Sequence, residues 1–224
     1  MKAVLIRQKT HPSIPRSNPL ERIAETIEMH NPDLIVAPEY FLNNEKRIYT
    51  RQEKDGLVQK IADISGDRLV VPGTILWQEN GYMRNTVVAV SNGKVLAEHD
   101  KSIDGGESLI AQTYGLLPFY GNLEACVFPW KGLDIGIEIC CEHKHGSLKI
   151  GGTKIDLQIV SGHGSELIED AFALKSGGYI IICDGMRPRI NGIRIKNCSF
   201  LPGCAISGED NGNTFIYSLF PEGR

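Results

Sequence analysis

Apolar residues in this chain fall into short blocks, separated by stretches with helical spacing. Lys2 to Gln8 is a brief β-rich run. Asn18-Pro19-Leu20-Glu21 has the form of a helix start, with Asn18 as N-cap, Pro19 in the first helical position and Glu21 completing a capping box. Leu20, Ile23, Ala24 and Ile27 then share one helix face. Asp33 to Glu39 predicts a second strand, and Leu57, Val58, Ile61 and Ile64 mark a second amphipathic helix. Arg68 to Trp77 reads as a third strand. Thr86 to Val90 and Lys94 to His99 form a hairpin pattern around Asn92-Gly93. Glu124 to Phe128, Leu133 to Cys141 and Asp156 to Val160 are further strand patterns. A helix is expected from Ser165, with Leu167, Ile168, Ala171 and Phe172 facing inward. Tyr179 to Cys183 is a nearly all-apolar strand, and Asn213 to Leu219 is the last.

The alternation predicts an α/β protein whose helices cover two packed sheets. No internal repeat, low-complexity tract or linker interrupts it, so a single domain over 1–224 is expected. The Gly- and Asn-rich stretch from Arg187 to Asn213 reads as a long loop or a lid. Hydrophobic residues make up 42% and charged residues 23%, as in ordinary globular chains. The net charge is -3 with no long run of one sign, which argues against nucleic acid or an anionic membrane as partner. No stretch approaches the roughly 20 apolar residues that span a bilayer. The opening run is too short for a signal peptide. Of the six cysteines, Cys126, Cys140 and Cys183 sit inside apolar runs, the pattern of reduced thiols in a cytoplasmic protein.

Candidate chemistry centres on Leu133-Asp-Ile-Gly-Ile-Glu-Ile-Cys140-Cys141-Glu142. Buried cysteine is a common core residue, and packing alone would account for many such thiols. Cys140, however, ends its strand, at the rim where α/β proteins place their sites, and polar residues follow it directly. A thiol attacks only as thiolate, so it needs a base or a positive field. Glu39 follows an apolar strand and a proline, where burial would raise its pKa towards neutrality and suit it to proton transfer. Lys101, after the hairpin, could supply a fixed positive charge.

Pro38-Glu39 after an apolar strand, Asn85-Thr86 opening a strand, Asp100-Lys101 after a hairpin, and Gly136-Ile-Glu-Ile-Cys140-x-Glu142 together resemble the nitrilase superfamily, the carbon–nitrogen hydrolases. The elements occur in the family's order, over roughly residues 2 to 185. The resemblance implies a four-layer αββα sandwich with mixed sheets, often paired into a homodimer. It implies a small amide, carbamoyl or nitrile substrate and no metal or organic cofactor. Cys140 would be the nucleophile, Glu39 the general base, and Lys101 the oxyanion stabiliser, assisted by the backbone N–H of Cys141. Many members carry a second glutamate after the lysine; Glu107 is the best match, with Glu138 and Glu142 as further choices. Tyr40, Cys141, Glu142 and His163 would line the substrate. The chain departs from the family after the cysteine, where Glu142-His-Lys-His-Gly-Ser-Leu replaces an arginine-containing segment ending in Pro-Glu.

Three other readings compete. Cys140, Cys141, His143 and His145 are all potential metal ligands, but adjacent residues on a strand point to opposite faces. His163, beyond the strand Asp156 to Val160, could serve as base in a different Cys-His hydrolase. The same fold could also be an inactive or repurposed binding or effector protein. A buried Glu-Lys-Cys group that is costly to fold without a use argues against that.

Overall fold

Two βαβ-like halves build two sheets, and the computed structural model describes residues 1–6, 18–44, 46–186, 192–195 and 214–218. Strand β1 (Lys2–Ile6) is followed by helix α1 (Pro19–His30) and β2 (Leu34–Val36). β3 (Tyr49–Thr50) then leads into α2 (Arg51–Ser65). β4 (Leu69–Val71), β5 (Thr74–Glu79), β6 (Tyr82–Ser91) and β7 (Lys94–Asp100) come next, before the short α3 (Glu107–Thr113) and β8 (Leu117–Pro118). The second half runs β9 (Cys126–Trp130), β10 (Leu133–Ile139), α4 (Cys141–His145), α5 (Ser147–Ile150), β11 (Ile155–Gly162), β12 (Leu174–Asp184) and β13 (Gly192–Ile195). β14 (Thr214–Ser218) returns to pair with β1.

The first sheet has the order β14-β1-β2-β4-β6-β5-β3, with β7 and β8 also paired to β6; the second is β13-β12-β11-β10-β9. β1, β2 and β4 are mutually parallel, as are β10, β11 and β12. Each sheet therefore gathers several strand carboxyl ends along one edge, where α/β folds build their sites. Both sheets are mixed, because hairpin partners such as β5–β6, β6–β7 and β9–β10 are antiparallel.

Leu5, Val36, Val71, Val87 and Ala89 of the first sheet pack against Phe128, Ile135, Ile137, Ile159, Ile181 and Cys183 of the second. The outer face of the first sheet is covered by Ile23 of α1 and Val58, Ile61 and Ala62 of α2. Leu148 of α5 packs on the outer face of the second, against Ile155, Val160, Ile180 and Ile182. The architecture is thus the α/β four-layer sandwich expected. Within β12, Tyr179 to Cys183 reads as a nearly continuous apolar run because both its faces are buried.

Local differences have local causes. Asn18 caps α1 by accepting from Leu20 N–H at 3.0 Å, but Glu21 meets the Asn18 side chain and not its backbone, so that capping box is not closed. A closed box starts α2 instead, between Thr50 and Glu53. The strand expected over Arg68 to Trp77 breaks into β4 and β5 at Gly73. Gly73 has φ +76°, and a Cβ there would lie 2.0 Å from the Pro38 carbonyl oxygen, so the strand is interrupted at a residue that has no side chain, and β4 and β5 both run antiparallel to β6. The helix expected from Ser165 does not form. One 3₁₀ turn, Glu169–Ala171, occupies that stretch, and its apolar residues still cover the second sheet. Most of the loop or lid expected from Arg187 to Asn213 lies outside the described residues.

The inter-sheet core makes a direct prediction. Ile137→Ala, at a position 2% exposed between the sheets, should cost about 2–5 kcal/mol in denaturant unfolding with the m-value unchanged.

Candidate active site

The site forms where strand ends of the two sheets meet. β2 ends at Val36, and Pro38-Glu39 carries the chain across the sheet edge. The Glu39 N–H donates to the Gly162 carbonyl (3.2 Å), and Ser161 Oγ donates to the Ala37 carbonyl (2.7 Å). The end of β11 thereby stitches one sheet to the other. Cys140 N–H donates to the Ser161 carbonyl (3.0 Å), which fixes the end of β10 on the same stitch. Lys101, one residue past β7, has its N–H on the Asn85 carbonyl of β6 at 2.8 Å.

These anchors bring Glu39, Lys101, Glu107 and Cys140 together. Lys101 is 1% exposed, and its Nζ donates to Glu39 Oε1 and Glu107 Oε1, both at 2.7 Å. Asn85 Nδ2 donates to the same two oxygens, at 2.9 and 3.0 Å. One cation cannot neutralise two carboxylates, so a proton is favoured on one of them. Glu107 is the better solvated by protein: Tyr40 Oη–H donates to its Oε1 (2.6 Å) and Gly105 N–H to its Oε2 (2.7 Å). Burial works against its charge, but Lys101 and these donors prevail and hold it below the usual carboxylate range. Glu39 lacks such extra support. Burial lifts it to about 7, opposed by Lys101 and reinforced by the negative charge of Glu107. Burial alone would pull the Lys101 ammonium down; Glu39 and Glu107 outweigh it and keep the lysine charged.

Cys140 itself occupies φ 49°, ψ -108°, a backbone region that glycine enters far more easily than any L residue. The turn points its thiol towards two acceptors, the Glu39 carboxylate and the His163 carbonyl oxygen 3.7 Å from Sγ. Burial first, and then the charge on Glu39, push the thiol pKa up. At rest Cys140 is therefore a thiol facing a base, not a standing thiolate.

Other expected residues fall in different places. Tyr40, with φ 63°, packs its ring edge-on against the His163 ring at 5.4 Å and grips Glu107 through its hydroxyl. His163 meets the thiol through its backbone carbonyl, and its ring lies against Tyr40, which does not suit it as the base. The Cys141 thiol lies on the Lys101 side of the turn and donates to the Ile103 carbonyl (3.4 Å), and burial raises it to about 12. His143 is buried against Glu138 at 2.8 Å. Cys140, Cys141 and His143 therefore take different partners, and among the described residues no group of three or more His, Cys, Asp or Glu is placed to hold a metal ion. Glu142 corrects an expectation: it is 0% exposed and its carboxylate is taken up by Ser102, His99 and Ile139, so it does not line the substrate space. Glu138 likewise accepts from Leu148 N–H and Gln158 Nε2, away from Lys101.

Three contributors escaped the sequence reading. Asn85 looked only like the start of a strand, though a polar residue leading an apolar run was the available signal. Asp184, at the end of β12, accepts from the Gly164 and Ser165 N–H groups (2.8 and 2.7 Å) and so shapes the loop that presents the His163 carbonyl. Gly105 has its Cα over the ammonium: a Cβ there would lie 2.8 Å from Lys101 Nζ and 3.2 Å from Cys141 Sγ.

No family model matches the chain, and no curated protein sequence matches it. Solved structures do. An amidase of the nitrilase superfamily from Nesterenkonia sp. AN1 superposes with a TM-score of 0.63 at 15% identity, covering 83% of this chain and 77% of the amidase. A CN-hydrolase superfamily protein from Xanthomonas campestris, XC1258, which carries an arsenic adduct in its active site, gives a TM-score of 0.58 at 14% identity, over 82% and 75%. The fold is that of the nitrilase superfamily. A mutant of the Nesterenkonia amidase, similar at a TM-score of 0.61 and 16% identity, carries a covalently added acetamide moiety of fluoroacetamide on its active-site cysteine. Within this nitrilase-type scaffold, Glu39 and Lys101 come from ends of the first sheet and Cys140 from an end of the second.

The charge balance is testable without a substrate. Carboxyl-carbon NMR of the glutamate-labelled protein should show one glutamate titrating near 7, neutral below and ionised above, and absent from Glu39→Gln.

Proposed function

We propose that this protein is a cysteine-dependent hydrolase of a non-peptide carbon–nitrogen bond in a small amide, carbamoyl compound or nitrile. One observation carries the reading: a thiol on a strained strand-end turn faces a buried carboxylate of near-neutral pKa, which is itself paired to a buried ammonium. The amidases that share the fold lend it support.

For an amide, the Glu39 carboxylate takes the Cys140 proton as the sulfur attacks the carbonyl carbon. The carbonyl oxygen gathers negative charge. Two of the three Lys101 N–H bonds are spent on Glu39 and Glu107, and the third meets that oxygen, joined by the backbone N–H of Cys141. As the carbon–nitrogen bond breaks, Glu39 returns the proton to the departing amine, leaving a thioester on Cys140. Water then attacks the thioester while Glu39 removes its proton. Collapse releases the acid, and the proton on Glu39 returns to sulfur. A fixed Glu107 is useful here because its charge keeps the Glu39 pKa high enough for both directions of transfer. Tyr40 and His163 wall the acyl side of the space. A nucleophile that must stay a thiol fits a reducing cytoplasm.

A screen of small primary amides, carbamoyl amines and nitriles tests the reading. Cys140→Ser, Glu39→Gln and Lys101→Met should each lower kcat/KM at least 10²-fold, and intact-protein mass spectrometry should trap an acyl adduct on Cys140. The acid limb of kcat/KM should rise through about 7 as Glu39 ionises. Near-normal turnover by Cys140→Ala would rule the mechanism out.

A further inference from the structure

Glu142 lies two residues beyond Cys140 and is fully buried, yet neither oxygen faces the reacting groups. Its Oε2 accepts from the N–H of Ile139 (2.7 Å), the last residue of β10 and the one directly before Cys140. Its Oε1 accepts from both the N–H and the Oγ–H of Ser102 (2.7 Å each), the residue directly after Lys101. His99 Nε2, near the end of β7, lies 3.0 and 3.1 Å from the two oxygens. One carboxylate thus holds the flank of the nucleophile and both flanks of the lysine. A second tie runs alongside, from the Cys141 thiol to the Ile103 carbonyl.

The physical need for such a tie is plain. Cys140 sits in a backbone region that relaxes unless its surroundings hold it. Cys140 and Lys101 come from different sheets, so no strand ladder fixes their separation. A misplacement of about 1 Å between reacting groups can cost about 10²-fold in rate.

We propose that Glu142 is a positioning residue, whose carboxylate ties the Cys140 turn to the Lys101 segment and sets the placement of thiol against ammonium. The inference rests on the assignment of Cys140 as nucleophile. It gives the carboxylate after the cysteine doublet a role in aligning the two sheets at the site, in place of one at the substrate.

Saturable alkylation of Cys140 by iodoacetamide, followed by peptide mapping, separates the possibilities without a known substrate. Glu142→Gln keeps the size but sets an amide N–H₂ against one of the backbone donors. Positioning predicts that kinact falls tenfold or more at pH 7.5, with KI changed less than threefold and Tm well above the assay temperature. A raised KI with unchanged kinact would make Glu142 a substrate contact and overturn the proposal. A lowered Tm with kinact unchanged would leave Glu142 only a structural role and would overturn the proposal as well. If Glu142→Gln fails to fold, Ser102→Ala decides, since it removes a single donor; a severalfold loss of kinact supports the tie and an unchanged kinact refutes it. Rapid wild-type alkylation with unaffected variants sinks only the positioning role. A wild-type Cys140 as inert as Cys183 sinks the nucleophile assignment, and the tie with it.

Discussion

The Lys101 ammonium sits almost without solvent between two carboxylates, and the site is arranged around that cation. Stripping an ion of water costs several kcal/mol, so the lysine must be paired, and removing one partner of such a group typically costs about 3–5 kcal/mol. Two carboxylates for one ammonium leave a surplus negative charge. Hydrogen bonds decide where that surplus is relieved. Tyr40 and Gly105 support Glu107, and Glu39 is left as the group that accepts a proton near neutrality. Burial is the largest cause of the raised Glu39 pKa, and the charge of Glu107 adds to it.

The same constraint shapes the backbone nearby. A Cβ on Gly105 would press on the ammonium, 2.8 Å from Lys101 Nζ. Gly162 carries the carbonyl that receives the Glu39 N–H, and a Cβ there would lie 2.2 Å from Ser165 Oγ and 2.8 Å from Asp184 Oδ2. Buried acids away from the reacting groups hold loops by accepting backbone N–H bonds: Glu142 at Ile139 and Ser102, Glu138 at Leu148, Asp184 at Gly164 and Ser165. A charge-assisted bond of this kind is stronger than a neutral one, which suits it to fixing a strained turn. The acidic residues around Cys140 thus divide between those paired with the Lys101 ammonium and those that hold backbone N–H groups.

That division limited what could be read in advance. Glu39, Lys101, Cys140 and Glu107 were legible because each follows a strand or turn pattern and the order of elements carries them to one sheet edge. Glu142 was legible as a residue near the thiol but not as one turned away from it. Side-chain direction after a strained turn depends on φ and ψ at Cys140, which no periodicity encodes. The helix expected from Ser165 failed for a related reason. Leu167, Ile168, Ala171 and Phe172 have helical spacing, but Leu167 and Phe172 reach the outer face of the second sheet from a segment with one 3₁₀ turn, without a helix.

The sequence by itself determined the α/β class, the main strands, the two long amphipathic helices and the shortlist of candidate site residues. These follow from periodicity and from residue type at strand ends, both local properties. Tertiary structure alone decided which glutamate takes the proton, which carboxylates act as scaffold, and that the Cys140 turn is strained. Those outcomes depend on donors from distant strands, on the Asn85, Tyr40 and Gly105 bonds, and on how two sheets meet at Ser161 and Gly162. Burial and hydrogen bonding are sums over neighbours brought together by folding, so residue order alone does not contain them.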